Sequence, residues 1–308
     1  MFTIGQPKLL AFTEADVASH YGVSEPITVK EIRPHAISPE EKYIAGTCAF
    51  VQPPSTTQHV RGFILKRAPS TPADPSWDIQ PPLALPAGWE GMSVRGVNDR
   101  GDIAGFFFFP GENPATQFHL WAKLDGKPPV ALVTPGPNST SFGGIWAIDQ
   151  DRNVAGEFRS PTGPKAFMAK LKPDGNIDPL TFKEFPAERI RSFNNNSDLL
   201  WERRIGTVRQ FFLRPGPNGD EIPISQSPAL NNLGANANVV NHSKQIVGWL
   251  VGAPNVRGFL GQVINGVFDG EIWTHPDQTI ETRLFGFSNQ GIVVGTFDNT
   301  KMFFVHAE

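Results

Sequence analysis

The sequence predicts an all-β chain folded as a six-bladed β-propeller, one domain over residues 1–308, and three observations predict it. The first is an internal repeat. The segment Arg95-Gly-Val-Asn-Asp-Arg-Gly-Asp-Ile-Ala-Gly105 returns as Trp146–Gly156, Asn238–Gly248 and Phe285–Gly295, with degenerate copies at Arg191–Trp201 and from His35 to Gly46. The closing positions 46, 105, 156, 201, 248 and 295 lie 59, 51, 45, 47 and 47 residues apart, a spacing that belongs to propeller blades. The second observation is an aromatic-centred apolar run after each copy, as in Gly62-Phe-Ile-Leu, Phe118-His-Leu-Trp and Gly258-Phe-Leu-Gly. The third is composition. Glycine 30 plus proline 29 makes 59 of 308 residues, about 19%, against ~12% in ordinary globular chains, while 24 phenylalanines supply a core.

Taken in order, two N-terminal segments are candidate strands, Lys8–Phe12 and Ile27–Ile32, with one helical turn over Asp16–Tyr21 between them. The blades begin near 33, 93, 144, 189, 236 and 283. In the second, Ser93–Asn98 reads as a strand, Asn98-Asp-Arg-Gly as a tight hairpin turn and Asp102–Phe109 as its partner. Further strands follow near Phe118–Lys123 and Pro129–Val133. Four short antiparallel strands have two apolar faces that only neighbouring blades can cover, which is why the units must close into a ring. The sixth unit runs out at Glu308 after its third strand, so one of the N-terminal candidates is expected to complete it. Trp201 stands where the other copies have the closing glycine, so a widened gap or bulge filled by the indole is expected there.

Charge and motifs exclude several classes. Lysine plus arginine number 27 against 30 acids, so no global field recruits nucleic acid or an anionic membrane. The single cysteine, Cys48, excludes an internal disulfide framework and a multi-cysteine metal site. No apolar run approaches membrane-spanning length, and the start lacks the basic flank of a secretory leader. The expected location is cytoplasmic if Met1 is the native start and secreted if a leader was removed. The histidines never pair at ligand spacing, and no nucleophile elbow, phosphate loop, dinucleotide fingerprint or aspartate box appears. No metal or cofactor is therefore expected. The triplets at Asn138, Asn195 and Asn241 match the glycosylation pattern at a frequency that chance supplies.

In a propeller the first strand of each blade lines the central channel, and comparing the copies shows where the repeat breaks. With Ser38, Asn98, Asp149, Asn194, Asn241 and Ser288 as anchors, the preceding residue is always apolar and the one before that small or β-branched. Three positions before the anchor stand His35, Arg95, Trp146, Arg191, Asn238 and Phe285; five before stand Arg33, Ser93, Gly144, Arg189, Asn236 and Arg283. These twelve positions hold five of the 15 arginines, where chance would place about 0.6. Strand alternation puts both columns on one face. A single asymmetric ligand needs such unlike neighbours, whereas one sugar site per blade would repeat. The competing reading is structural: Glu31, Glu90, Glu188 and Glu281 lie close enough in sequence to pair with these arginines and tie blades together.

The paired signals resemble the HAF repeat, a family found in predicted extracellular proteins, over residues 33 to 305. That resemblance implies blades rather than chemistry. Fold and pocket character are also similar to the fungal hetero-Diels-Alderases of tropolone sesquiterpenoid biosynthesis, without a matching motif. This likeness implies a cofactor-free cyclase coupling a tropolone-derived quinone methide with a terpene alkene. Arg95, Arg191 or His35 would then donate to the quinone methide oxygen. Trp146, Phe142, Trp89 and Phe285 would hold the apolar partner, with Arg33, Arg189, Asn236, Asn238 and Arg283 completing the substrate site. The expected partner is a small molecule, in any oligomeric state. The alternative is a non-catalytic propeller that binds carbohydrate or protein.

Overall fold

The computed structural model describes residues 2–10, 12–23, 26–69, 75–112, 117–136, 140–225, 227–230, 233–251, 256–276 and 281–307. Asn138 and Ser139 of the first glycosylation-type triplet lie outside them. Six four-stranded antiparallel sheets form the blades of a propeller. The N-terminal β1 (Lys8–Leu10) is followed by α1 (Glu14–His20), two turns long rather than one, which Thr13 and Asp16 begin with a reciprocal capping box. Blade 1 holds β2 (Thr28–Ile37), β3 (Tyr43–Val51), β4 (Gln58–Arg67) and β5 (Trp77–Ile79). Blade 2 holds β6 (Gly91–Val97), β7 (Ile103–Phe108), β8 (His119–Lys123) and β9 (Val130–Ala131). Blade 3 holds β10 (Gly143–Ile148), β11 (Asn153–Ser160), β12 (Gly163–Lys170) and β13 (Lys183–Phe185). Blade 4 holds β14 (Arg189–Phe193), β15 (Leu199–Ile205), β16 (Val208–Arg214) and β17 (Ile222–Pro223). Blade 5 holds β18 (Gly234–Val240), β19 (Gln245–Val251), β20 (Gly258–Ile264) and β21 (Val267–Trp273). Blade 6 holds β22 (Thr282–Phe287), β23 (Ile292–Phe297) and β24 (Lys301–His306), and β1 is its fourth strand.

Closure thus uses the first of the two N-terminal candidates. Lys8 pairs with Phe304 and Leu10 with Met302. The second candidate, Ile27–Ile32, instead begins the long inner strand β2. That strand pairs with β3 from Thr28 onward, so its hydrogen bonds are already committed to blade 1.

One local device recurs in all six blades. Each inner strand slips register against its partner, between Arg33 and Ala36, Val94 and Gly96, Ile145 and Ala147, Ile190 and Ser192, Ala237 and Val239, and Leu284 and Gly286. The residue three before the anchor is left out of the ladder in every blade, joined in blade 1 by Pro34. A bulge bends its strand and re-aims the unpaired side chain, so the position where the sequence repeat breaks is also where the backbone turns a side chain toward the channel.

The bulge explains the closing glycine. A Cβ built on Gly46, Gly105, Gly156 or Gly248 would meet the carbonyl oxygen of Arg33, Ser93, Gly144 or Asn236 at 2.1, 1.9, 2.0 or 2.0 Å. No side chain fits at that distance without moving the backbone. Trp201 occupies the equivalent place in blade 4, opposite Ile190, and is 2% exposed. The indole does fill a gap, packing with Ala155, Ala166 and Ala187, whose small side chains leave the room. The expected bulge is present but is common to every blade and not a consequence of the tryptophan.

The anchors close the hairpins and staple the blades. Asn98 Oδ1 accepts from the backbone N–H groups of Arg100 and Asp102, both at 3.0 Å, while its amide donates to the Asp149 carbonyl in blade 3 at 2.8 Å. Asn194 repeats the pattern onto Asn241 O and Asn241 onto Ser288 O. Between blades 6 and 1, Ser288 Oγ donates to Glu41 Oε1 at 2.6 Å. The small residues two before the anchors pack inner strand against inner strand: a Cβ on Gly96 would sit 3.0 Å from Ile148 N.

Candidate functional site

The six bulges face one cavity of about 400 Å³ on the ring axis. Blade 1 contributes Arg33 and His35, blade 2 Arg95, blade 3 Trp146, blade 4 Arg189 and Arg191, blade 5 Asn236 and Asn238, and blade 6 Phe285. The cavity is not confined to the entering mouth. It extends to the hairpin end, where Asn195, His242 and Asn289 line it, because the residues beside the axis between the two levels are small ones such as Ala36, Gly96 and Ala147.

Three expected site residues lie elsewhere. Arg283 points at Glu281, 2.9 Å away, and toward the Trp249 ring at 5.9 Å, off the cavity lining. Trp89 precedes β6 and stacks on Phe107 at 3.6 Å within the core between blades 1 and 2. Phe142 is 38% exposed and covers His119, whose strand it bridges. Both aromatics precede an inner strand, so neither reaches the axis.

Residues one after the closing position were overlooked in the sequence. These are Thr47, Phe106, Glu157, Glu202, Trp249 and Thr296, each paired across the ladder with a residue of the five-before column. They too break the repeat, and that irregularity was a readable signal. Glu157 of blade 3 accepts from Arg189 of blade 4 at 2.6 Å. Glu202 accepts from Arg191 at 2.6 Å and lies 3.5 Å from Arg189 and 3.4 Å from Arg209. Trp249 packs on Phe285 with ring centroids 5.3 Å apart.

Of the four acids suspected as arginine partners, Glu31 pairs with Arg33 and Glu281 with Arg283. Glu188 instead lies 3.7 Å from Arg204, and the carboxylate of Glu90 accepts from Gly111 N. The structural role is real for Arg189, which ties blade 4 to blade 3, but it does not absorb the whole set.

Arg95 stands apart. Among the described residues it has no carboxylate partner. Its Nη1 instead donates to His35 Nδ1 at 3.0 Å, and its guanidinium lies 4.7 Å from the Trp146 ring centre and 4.9 Å from that of Phe106. Arg189 and Arg191 approach the same indole at 4.2 and 4.7 Å. Trp146 is therefore a platform for guanidiniums and not the free stacking face the sequence suggested. The negative faces of its ring let like charges gather.

Burial is the main cause that pushes the Arg95 guanidinium well below its ordinary range, and the charges of Arg33, Arg191 and Arg189 add to it. Burial likewise lowers Arg191, to about 10, even with Glu202 beside it. For Arg189 burial works the other way from the net result, because Glu157 and Glu202 outweigh it and raise the group. Burial, then Arg95, Arg33 and Arg191, hold His35 well below the usual imidazole range. A neutral His35 that accepts at Nδ1 from an obligate donor carries its proton on Nε2, and that nitrogen has no partner.

The cavity is thus two-sided. Blades 1, 2 and 4 present guanidiniums and the His35 donor, with Trp146 of blade 3 among them; blades 5 and 6 present the amide of Asn236 and the aromatic rings of Trp249, Phe285 and Phe287. Such an arrangement can hold an oxygenated, electron-rich end against donors and an apolar end against rings.

No protein-family profile and no curated protein matches the sequence. Distantly similar solved structures include two propellers. TolB from Acinetobacter baumannii is 10% identical with a TM-score of 0.44, over 81% of this chain and 56% of that one, so this chain spans little more than half of it. The PQQ-bound aldose sugar dehydrogenase from Streptomyces coelicolor is 12% identical with a TM-score of 0.46, over 100% of this chain and 98% of that one. Neither likeness bears on what the central cavity takes.

Proposed function

We propose that the protein binds one small oxygenated molecule in the central cavity and orients it for a cofactor-free cyclisation of the hetero-Diels-Alder type. One observation carries the reading: the side chains that break the six-fold repeat converge on a single cavity, donors on one side and aromatic rings on the other. An oxygenated diene such as a tropolone-derived quinone methide would place its oxygen against His35 Nε2–H and Arg95, with Arg191 behind them. Electron density gathers on that oxygen as the alkene adds, so fixed donors favour the transition state over the ground state. The alkene partner lies against Phe285 and Trp249. One carbon–carbon and one carbon–oxygen bond form together at the expense of π bonds, so no redox group or net proton transfer is needed. Holding both reactants in reach of each other is worth roughly 7 to 11 kcal/mol.

The test is to generate an o-quinone methide in the presence of a cyclic terpene alkene and compare adduct yield and enantiomeric excess with and without protein. Acceleration and stereoselectivity that fall by about 2 to 3 kcal/mol of barrier in Arg95→Ala support the proposal. A racemic adduct formed at the spontaneous rate overturns it. The amides of Asn236 and Asn289 also suit hydroxyl groups, which supports the second reading, a binding module for carbohydrate. Saturable sugar binding without turnover would select that one.

A further inference from the structure

Resting on the reading that the central cavity takes a small molecule, we infer that the ligand's oxygenated end is a monoanion offering adjacent acceptor oxygens and no donor, gripped by Arg95 and His35. Two independent observations converge on this class. The first is an inventory of unpaired buried atoms. Around the cavity Arg33 Nε, His35 Nε2, Arg95 Nε, Trp146 Nε1 and Arg189 Nε are buried without a partner among the described residues, and every one is a donor. The carboxylate oxygens that lack a hydrogen bond, Asp298 Oδ1 and Glu281 Oε2, the latter ion-paired with Arg283, belong to residues away from the cavity lining. A buried donor left unmade is costly, whereas an acceptor oxygen placed among several such donors satisfies them together. A neutral polyol would bring one hydroxyl proton for each oxygen, and the unpaired buried atoms here offer it only further donors.

The second observation is charge. Arg33, Arg95, Arg189, Arg191 and Arg209 line the cavity together with Asp149, and the arginines' carboxylate partners are Glu31, Glu157 and Glu202. Five cations less four anions leaves one positive charge, and the guanidinium with no carboxylate beside it is that of Arg95, which has only a neutral imidazole and two aromatic faces there. Arg209 shares Glu202 with its side chain 41% exposed, so solvent screens it. One uncompensated charge in a partly desolvated site selects a ligand with one negative charge. A dianion would be left with a charge unpaired and a neutral molecule would leave Arg95 so. A planar carboxylate, enolate or phenolate flanked by a second oxygen meets both conditions, and a quinone methide diene would meet them by carrying such an ionised oxygen on its ring.

The experiment is isothermal titration of the intact protein at pH 7 with salicylate and with its uncharged counterpart salicylamide, which have the same ring and similar size. Salicylate is expected to bind at one site per chain and salicylamide at least about 30-fold more weakly, the factor that ~2 kcal/mol of charge-assisted hydrogen bonding represents. Arg95→Gln should remove most of the preference, and Arg95→Lys, which keeps the charge but loses the fork, should retain part of it. Equal binding of the two probes by the unaltered protein overturns the inference, and that result does not depend on any variant folding. So does an unchanged salicylate affinity in a folded Arg95→Gln. Salicylate selectivity without acceleration of any cycloaddition would leave the anion site standing and remove the cyclase. Acceleration by a protein that does not distinguish the probes would do the reverse.

Discussion

Glu202 is 1% exposed and serves three guanidiniums, Arg189, Arg191 and Arg209. Burial alone would raise its carboxyl, but those three cations outweigh it and hold it below the usual carboxylate range. Glu202→Gln leaves partly buried cations facing one another, and a loss of about 3 to 5 kcal/mol is expected, read as a fall in Tm. Glu188→Gln, half-buried and 3.7 Å from an exposed Arg204, should cost less than about 1 kcal/mol in the same measurement. His35 makes the site sensitive to acid. Its folded pKa is depressed, so below the unfolded value near 6.5 the unfolded chain binds a proton that the folded one refuses, and stability falls as pH falls. The slope approaches about 1.4 kcal/mol per pH unit until the folded pKa is reached. Thermal melts between pH 7 and 5 should show this slope, and His35→Gln should lessen it. At this scale the sequence was partly legible. The arginines, His35 and Phe285 were visible as breaks in a repeat, because a ligand site need not obey the ring's symmetry. Glu157, Glu202 and Trp249 were missed because they sit on the second strand, beside a closing residue, glycine or Trp201, that was read only as a marker. Arg283, though it breaks the repeat, is turned away by Glu281.

The bulged inner strand is the element that converts the sequence pattern into a site. Alternation alone predicted that the residues three and five before the anchor share a face. The bulge modifies this, since only the unpaired residue is re-aimed in every blade, and Ser93, Gly144 and Arg283 of the other column do not line the cavity. A bulge depends on which ladder bond is skipped, which a list of residue types does not contain. Its trace in the sequence is the glycine opposite. Gly105→Ala would drive a Cβ to 1.9 Å from the Ser93 carbonyl, and a loss of about 3 kcal/mol is expected from the forced backbone shift. Denaturant titration would measure it, and a loss under about 1 kcal/mol would mean that the bulge is not rigid. Trp201→Ala in blade 4 should cost about 3 to 5 kcal/mol through the cavity it leaves. Asn98→Ala removes three hydrogen bonds within its hairpin and one to blade 3, so it should both destabilise and weaken coupling between neighbouring blades.

At the scale of the molecule, period and blade count were plain from the chain, because each blade needs the same glycine, anchor and apolar run to pack against the next. Which N-terminal segment closes the ring was not, since Lys8–Phe12 and Ile27–Ile32 have equal strand character and only pairing distinguishes them. Removing residues 2–10 should broaden or abolish the cooperative melt, and an unaltered transition would mean that the ring does not depend on β1. That strand has a further consequence. Lys8 meets Phe304, 296 positions further along the chain, and closing so long a loop costs roughly 5 kcal/mol in chain entropy. Yet the pairing is antiparallel, and Ile4 already lies opposite Ala307. A pull applied to the two ends would therefore open the contacts one after another, like a zip, instead of loading them together in shear. The propeller should resist heat as one body and yield to tension at its seam.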